Sequence, residues 1–250
     1  MARDRSMVLS SATLQTAFAE AYRSLRTTLS SSGLAHGARA LLVTSGAPGE
    51  GKSTTVANLG ILMAQAGQRV ILVDADFRRP SLHRLLPASR NGHRVASVDE
   101  FWGRDGVEPV RQGLAELIAG KASFVEVATP VEGLQNLVMV TTGVIPTNPA
   151  ELLASPRMRG VLNDLCDHAD VVLLDSPPSS LYSDAQELTQ VTDGFLYVLR
   201  SGPQGLVNHG RVLKQLQQGQ ARLIGIVMNQ VDARAAGYEG PYRGGAPARG

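Results

Sequence analysis

Ala40-Leu41-Leu42-Val43-Thr44-Ser45-Gly46-Ala47-Pro48-Gly49-Glu50-Gly51-Lys52-Ser53-Thr54 is the stretch that decides the fold. It opens on an aliphatic run of strand length, and Gly46 to Ser53 spell the complete pattern G-x-x-x-x-G-K-[ST]. Helical patterning follows from Thr54 to Gln65. A strand, a glycine-rich loop and a helix in that order make an anion cradle. The glycines let backbone N–H groups converge on phosphate oxygens, and the helix presents its positive end. In such a cradle Lys52 reaches the β- and γ-phosphates, and the Ser53 hydroxyl can ligate Mg²⁺. The bland alternative is a glycine-rich turn with an incidental lysine, which the flanking strand and helix disfavour. The nucleotide-binding set read this way is Gly46, Ala47, Pro48, Gly49, Glu50, Gly51, Lys52, Ser53 and Thr54.

Further aliphatic runs alternate with helical patterns along the chain: Val70-Ile71-Leu72-Val73, Leu137-Val138-Met139-Val140, Val171-Val172-Leu173-Leu174, Phe195-Leu196-Tyr197-Val198 and Leu223-Ile224-Gly225-Ile226-Val227. That alternation predicts an α/β fold, a mainly parallel sheet flanked by helices. Strand C-termini then share one edge, so acids that follow strands should gather at the phosphate loop. Asp74 and Asp76 follow the second run, and Asp175 follows the fourth. Mg²⁺ needs only one or two carboxylates beside phosphate oxygens and water, which leaves one acid spare as a base. The alternative for each acid is a solvated strand-end turn. Asn229, after the last run, could read adenine through its amide or be an ordinary turn residue; both stay open.

The remainder of the chain sets limits. Its 250 residues suit one large domain, and 43% hydrophobic with 18% charged residues suits a folded one. Aromatics at 4% predict an aliphatic core. A formal charge of +2 is too balanced for nucleic acid as main partner. Cys166, the single cysteine, excludes an intramolecular disulfide or Cys-based zinc site and should fill core space. No signal-peptide or membrane-spanning run is present, so a soluble cytoplasmic protein is expected. Residues 13–33 read as a helix standing apart at the N-terminus, 87–112 as a long mobile loop, and the Gly- and Pro-rich 233–250 as a flexible tail. The expected organisation is thus 1–36, an N-terminal helical segment; 37–232, the nucleotide-binding domain; and 233–250, the tail.

Several motifs in order resemble the bacterial tyrosine kinases of the CpsD/CapB type, which govern capsule and exopolysaccharide synthesis. They are Glu20-Ala21-Tyr22-Arg23-Ser24-Leu25-Arg26, the stretch Thr44 to Thr54, Val73-Asp74-Ala75-Asp76-Phe77-Arg78-Arg79-Pro80, Asn148-Pro149-Ala150-Glu151-Leu152-Leu153, Leu174-Asp175-Ser176-Pro177-Pro178 and Ser183-Asp184-Ala185. The resemblance implies a fold of the MinD/ParA-like branch and transfer of the ATP γ-phosphoryl group to tyrosine, with attendant ATP hydrolysis. ATP and Mg²⁺ would be the cofactors. Lys52 would hold phosphate; Ser53, Asp76 and Asp175 would hold Mg²⁺; Asp74 would be the base toward the tyrosine hydroxyl. The resemblance also implies a ring-like homo-oligomer contacted through Glu20, Arg23 and Arg26. Tail tyrosines, here Tyr238 and Tyr242, would be the acceptors. The implied partners are a membrane-embedded chain-length protein that activates the kinase at the inner face of the plasma membrane, and a cognate tyrosine phosphatase.

This sequence departs from the family in two places. Its tail carries two tyrosines where a cluster is usual, and the segment between Asp76 and Asp175 is stretched near residues 92–112. The thin cluster admits an ATP-binding scaffold of the export complex with little transfer to tyrosine. A MinD/ParA-like ATPase switch is the other competitor; such switches carry a second lysine early in the phosphate loop, where Ala47 stands here. For Glu20, Arg23 and Arg26 the bland reading is a local ion pair on a solvated helix face.

Overall fold

The structure is a computed structural model that describes residues 8–10, 13, 14, 16–32, 34–87, 112–202 and 206–231. The expected loop between Pro87 and Gln112, Tyr238, Tyr242 and the rest of the 233–250 tail lie outside those residues.

Each central strand is a short aliphatic run whose alternate side chains enter opposite cores. In β1 (Ala40–Ser45), Leu41 and Val43 face one core and Leu42 the other, all fully buried. β2 (Val70–Asp74), β4 (Leu134–Val140), β5 (Val171–Asp175) and β6 (Gly194–Arg200) repeat the pattern. Burial on both faces is what lets these runs dispense with polar alternation. The seven strands lie in the order β3-β4-β2-β5-β1-β6-β7, with β7 (Arg222–Asn229) at one edge. All neighbours are parallel except β3 (Ala128–Val131), which pairs antiparallel with β4. The expected mainly parallel sheet is present. β3 was not foreseen, because four residues containing Pro130 give too little pattern, and proline is tolerated there only because the strand is an edge.

α2 (Lys52–Gln65) is buried almost all round, since the sheet covers one side and α1 (Ala17–Ser32) the other. α1 buries Ala19, Tyr22 and Leu29, so the helix expected to stand apart shares a core with the phosphate-loop helix. It starts at Ala17 rather than at residue 13 because the Thr16 hydroxyl accepts the Ala19 N–H and caps it there. Among the helices on the opposite face are α4 (Leu114–Ala119), α7 (Pro156–His168), α8 (Asp184–Leu188) and α9 (Leu206–Leu216). Cys166 packs against that core half-buried, and burial pushes its thiol up to about 11, so it is unreactive near neutrality. The core is not purely aliphatic, for Tyr197, Phe77 and Phe195 are among its largest fully buried side chains. The short helices α3 (Leu82–Leu85), α5 (Phe124–Val127) and α6 (Pro149–Leu153) complete the order.

Candidate active site

β1 runs directly into the loop, and α2 starts at Lys52, so the loop is fixed at both ends. Gly51 precedes the helix at φ +97°, a left-handed conformation that favours glycine, and a Cβ there would lie 1.9 Å from Asn229 Nδ2. Inside the loop, Ser45 Oγ donates to the Ala47 carbonyl at 2.9 Å, and the Ala47 N–H donates to Glu50 Oε2 at 2.7 Å. Thr55 Oγ1 donates to the Gly51 carbonyl at 2.8 Å. From the end of β7, Asn229 Nδ2 donates to the Glu50 carbonyl and Gln230 Nε2 to the Gly49 carbonyl, each at 2.9 Å. The amide nitrogen of Asn229 is therefore bound to the loop itself. Lys52 and Ser53 open the first turn of α2, and Lys52 is 7% exposed.

Asp74 and Asp175 are register partners at the ends of β2 and β5, both fully buried. Burial is the main force raising the Asp175 pKa; the Asp74 charge adds to it, while Lys52 and a hydrogen bond from Ser53 oppose it. Ser81 Oγ lies 3.5 Å from Asp175 Oδ2. Among the described residues, Asp175 Oδ1 has no hydrogen-bond partner. Asp74 is differently served. Its Oδ2 accepts the Ser81 and Leu82 N–H groups at 2.9 and 3.0 Å, and its Oδ1 accepts the Asp76 N–H at 3.2 Å. Burial still outweighs those three bonds and raises its pKa. Asp76, 6% exposed, accepts the Arg78 and Arg79 N–H groups on Oδ1 at 3.1 and 2.9 Å. The three acids, Lys52 and Ser53 thus gather at the C-terminal edge of the sheet, as the parallel topology requires.

The orphaned oxygen tests the site for a cation. Leaving a buried acceptor unpaired costs about 1–3 kcal/mol, more for a charged one, so Asp175 Oδ1 is suited to a bound positive ion. No three His, Cys, Asp or Glu side chains form a metal cage among the described residues. Mg²⁺ needs none, because it completes its shell with water and phosphate oxygens. Asp175 with Ser53 fits such an ion and does not fit a structural zinc.

Two features around the site carried no role in the sequence reading. Arg78 grips fully buried Asp184 through both carboxylate oxygens at 3.1 Å and lies 4.7 Å over the Tyr182 ring. Ser176, Ser179 and Ser180 tie the exit of β5 to β1 and the loop: Ser176 Oγ to the Val43 carbonyl, the Ser179 N–H to Ser45 and the Ser180 N–H to Gly46. Arg78, Asp184 and Ser176 lie in the motifs above and Tyr182, Ser179 and Ser180 do not, and nothing local gave their partners. Glu20, Arg23 and Arg26 are on α1. Arg23 pairs with Glu20 and donates to the Leu14 carbonyl, while Arg26 donates to the Leu62 carbonyl at 3.0 Å, toward the end of α2 remote from Lys52. Glu20 stays exposed.

With this geometry the comparisons agree. The CobQ/CobB/MinD/ParA nucleotide binding domain matches residues 41–239. Tyrosine-protein kinase YwqD of Bacillus subtilis is 34% identical over 210 residues, covering 84% of this chain and 80% of that protein. The chain belongs to the bacterial tyrosine kinase family. The kinase is also 31% identical over 217 residues to tyrosine-protein kinase Etk of Escherichia coli K12, spanning 87% of itself but about a quarter, 27%, of Etk. The crystal structure of the chimerical protein CapA2B2 superposes on the kinase with a TM-score of 0.75, at 26% identity and over 90% of each chain. The family and fold expected from the motifs are therefore those of this chain.

Proposed function

We propose that this kinase transfers the γ-phosphoryl group of Mg-ATP to tyrosines of its own tail and thereby regulates capsule or exopolysaccharide synthesis and export. The observation that carries the reading is the gathering of Lys52, Ser53, Asp74, Asp76 and Asp175 at one sheet edge, with a buried Asp175 oxygen that has no partner among the described residues. Backbone groups of Gly46 to Thr54 bind the phosphates, and Asn229 keeps an amide oxygen for the adenine amino group. Lys52 neutralises charge on the γ-phosphoryl oxygens as the bond to the β–γ bridging oxygen breaks. Ser53 and Asp175 hold Mg²⁺, with Asp76 contributing the oxygen not committed to Arg78 and Arg79, directly or through water. The ion supplies neutralisation of the phosphates. Asp74 takes the proton from the tyrosine hydroxyl as its oxygen bonds to phosphorus; the burial that raises its proton affinity favours that role.

The acceptors are Tyr238 and Tyr242 of the 233–250 tail, presented to a neighbouring copy within a ring. Glu20, Arg23 and Arg26 of the 1–36 segment contact that neighbour, and residues 37–232 carry the chemistry. Among the described residues no helix is long and apolar enough to cross a membrane. In this reading a membrane-embedded chain-length protein supplies both activation and attachment at the inner face of the plasma membrane, and a cognate phosphatase resets the tail. The test is to incubate purified kinase with Mg-ATP, with and without the cytoplasmic segment of that membrane partner, and probe for phosphotyrosine. The wild type becomes labelled and Lys52→Met does not. ATP turnover without phosphotyrosine under both conditions would favour the switch, and nucleotide binding without turnover the scaffold.

A further inference from the structure

Behind the phosphate loop lies a chain of polar contacts that runs from Glu50 of the loop to two residues outside every motif, His209 and Tyr197. Glu50 is 5% exposed, and a buried carboxylate is costly unless its oxygens are paired. Its Oε2 accepts the Ala47 N–H at 2.7 Å. Its Oε1 faces His209 Nε2 of α9 at 3.4 Å and the Arg200 N–H at the same distance. His209 Nδ1 in turn lies 2.8 Å from the hydroxyl of Tyr197 on β6. A carboxylate only accepts, so the arrangement suits a ring that carries its proton on Nε2 toward Glu50 and accepts the Tyr197 hydroxyl on Nδ1.

The same two side chains press on the first glycine of the loop. A Cβ at Gly46 would lie 2.6 Å from both His209 Nδ1 and the Tyr197 hydroxyl oxygen. The two rings meet edge to face, 5.7 Å between centroids at 81°, which fixes the imidazole from the side away from Glu50. Gly46 therefore rests on a wall built from Tyr197 of β6 and His209 of α9, and β6 lies on the far side of β1 from Asp74 and Asp175.

We propose that Tyr197 and His209 are positioning residues for nucleotide: they hold Glu50 against the Ala47 N–H and so set the phosphate loop in its anion-binding shape before nucleotide arrives. They act through Glu50 and touch none of Lys52, Ser53 or the three aspartates in the contacts described above. A loop already in its bound shape spends less ordering entropy on binding, so the device acts on affinity. The inference rests on the reading of Gly46 to Ser53 as the nucleotide site.

The experiment is calorimetric titration of Mg-ADP into the full chain, wild type and variants, with the melting temperature of each nucleotide-free protein in EDTA. His209→Leu is expected to raise the Kd about tenfold, within the range by which indirect couplings act. His209→Gln keeps a donor toward Glu50 and should restore most of the loss, and Tyr197→Phe should weaken binding about threefold. In the phosphorylation assay the same variants should raise the KM for ATP while kcat stays near wild type. Should His209→Leu fail to fold, Tyr197→Phe, which removes one oxygen, carries the test. Wild-type affinity in the folded His209→Leu and Tyr197→Phe proteins, or a glutamine variant as weak as the leucine one, would overturn the proposal. Lys52→Met separates the two readings. If it binds Mg-ADP as well as wild type, the site reading fails; if it binds weakly while the His209 and Tyr197 variants bind normally, only the positioning role fails.

Discussion

Replacing Asp175 by asparagine should make the nucleotide-free kinase more stable and its response to Mg-nucleotide weaker. Asp175 is fully buried beside Asp74, and its Oδ1 has no partner among the described residues. The amide keeps an acceptor for the Ser53 and Ser81 hydroxyls while removing a charge that burial and Asp74 both disfavour. The relieved penalty is the excess that a buried charge costs over a neutral polar group, taken as about 2 kcal/mol. In a protein of this size each kcal/mol moves Tm by about 2–4 °C, so about 2 kcal/mol corresponds to a rise of about 4–8 °C. Saturating ligand at about 100 times Kd adds about 2.7 kcal/mol to the wild type, and most of that increment should vanish when the ligand is Mg-ADP and the metal side chain is gone. Scanning calorimetry of both proteins in EDTA and in Mg-ADP reads all four values. A lower Tm for Asp175→Asn in EDTA, or an undiminished shift with Mg-ADP, would refute the argument that this carboxylate is strained in order to hold a cation.

The other expectations follow from the same geometry. Asp74 and Asp175 both have folded-state pKa values raised above the unfolded value, so the native state holds more protons; the contribution of this pair to the stability of the nucleotide-free kinase is fully present below about pH 3.8 and is lost as pH rises through about 6 for Asp74 and about 8 for Asp175. Chemical denaturation between these limits checks the slope, and Asp175→Asn should flatten it. Lys52→Met should cut phosphorylation by at least about 100-fold in a radiolabel assay with little change in the EDTA melting temperature. Arg23→Glu with Arg26→Glu should shift sedimentation toward smaller species. If melting temperature falls while the mass distribution holds, the two arginines serve only their own chain, through Leu14 and Leu62.

The gathering of these acids beside the phosphate loop was legible because a parallel sheet turns sequence order into position. Three aliphatic runs ending in Ser45, Asp74 and Asp175 had to end on one side, and they form adjacent strands in the order β2-β5-β1. What stayed hidden depends on partners distant in sequence. Asp74 spends both oxygens on backbone N–H groups at Asp76, Ser81 and Leu82, a local arrangement that the extended Asp-Ala-Asp pattern does not announce. Arg78 and Asp184 sit in separate motifs, and only the fold brings them together. His209 and Tyr197 follow no motif spacing at all, yet His209 of α9 meets both Glu50 and Tyr197 of β6. α1 looked separate because its patterning ends at Gly33, well before β1; its buried face is complementary to α2, which the sheet alone does not cover.

Mass spectrometry of the intact chain tests the proposed transfer of phosphate to the kinase's own tail. After incubation with Mg-ATP and the cytoplasmic segment of the proposed membrane partner, phosphate is expected on Tyr238 or Tyr242, absent from Lys52→Met and from the variant with both tyrosines changed to phenylalanine. Each phosphate adds about −1.5 to −2 charge, so labelled chains should also sediment as smaller assemblies. Phosphate found only at other residues, or none while the same preparation turns over ATP, would contradict it.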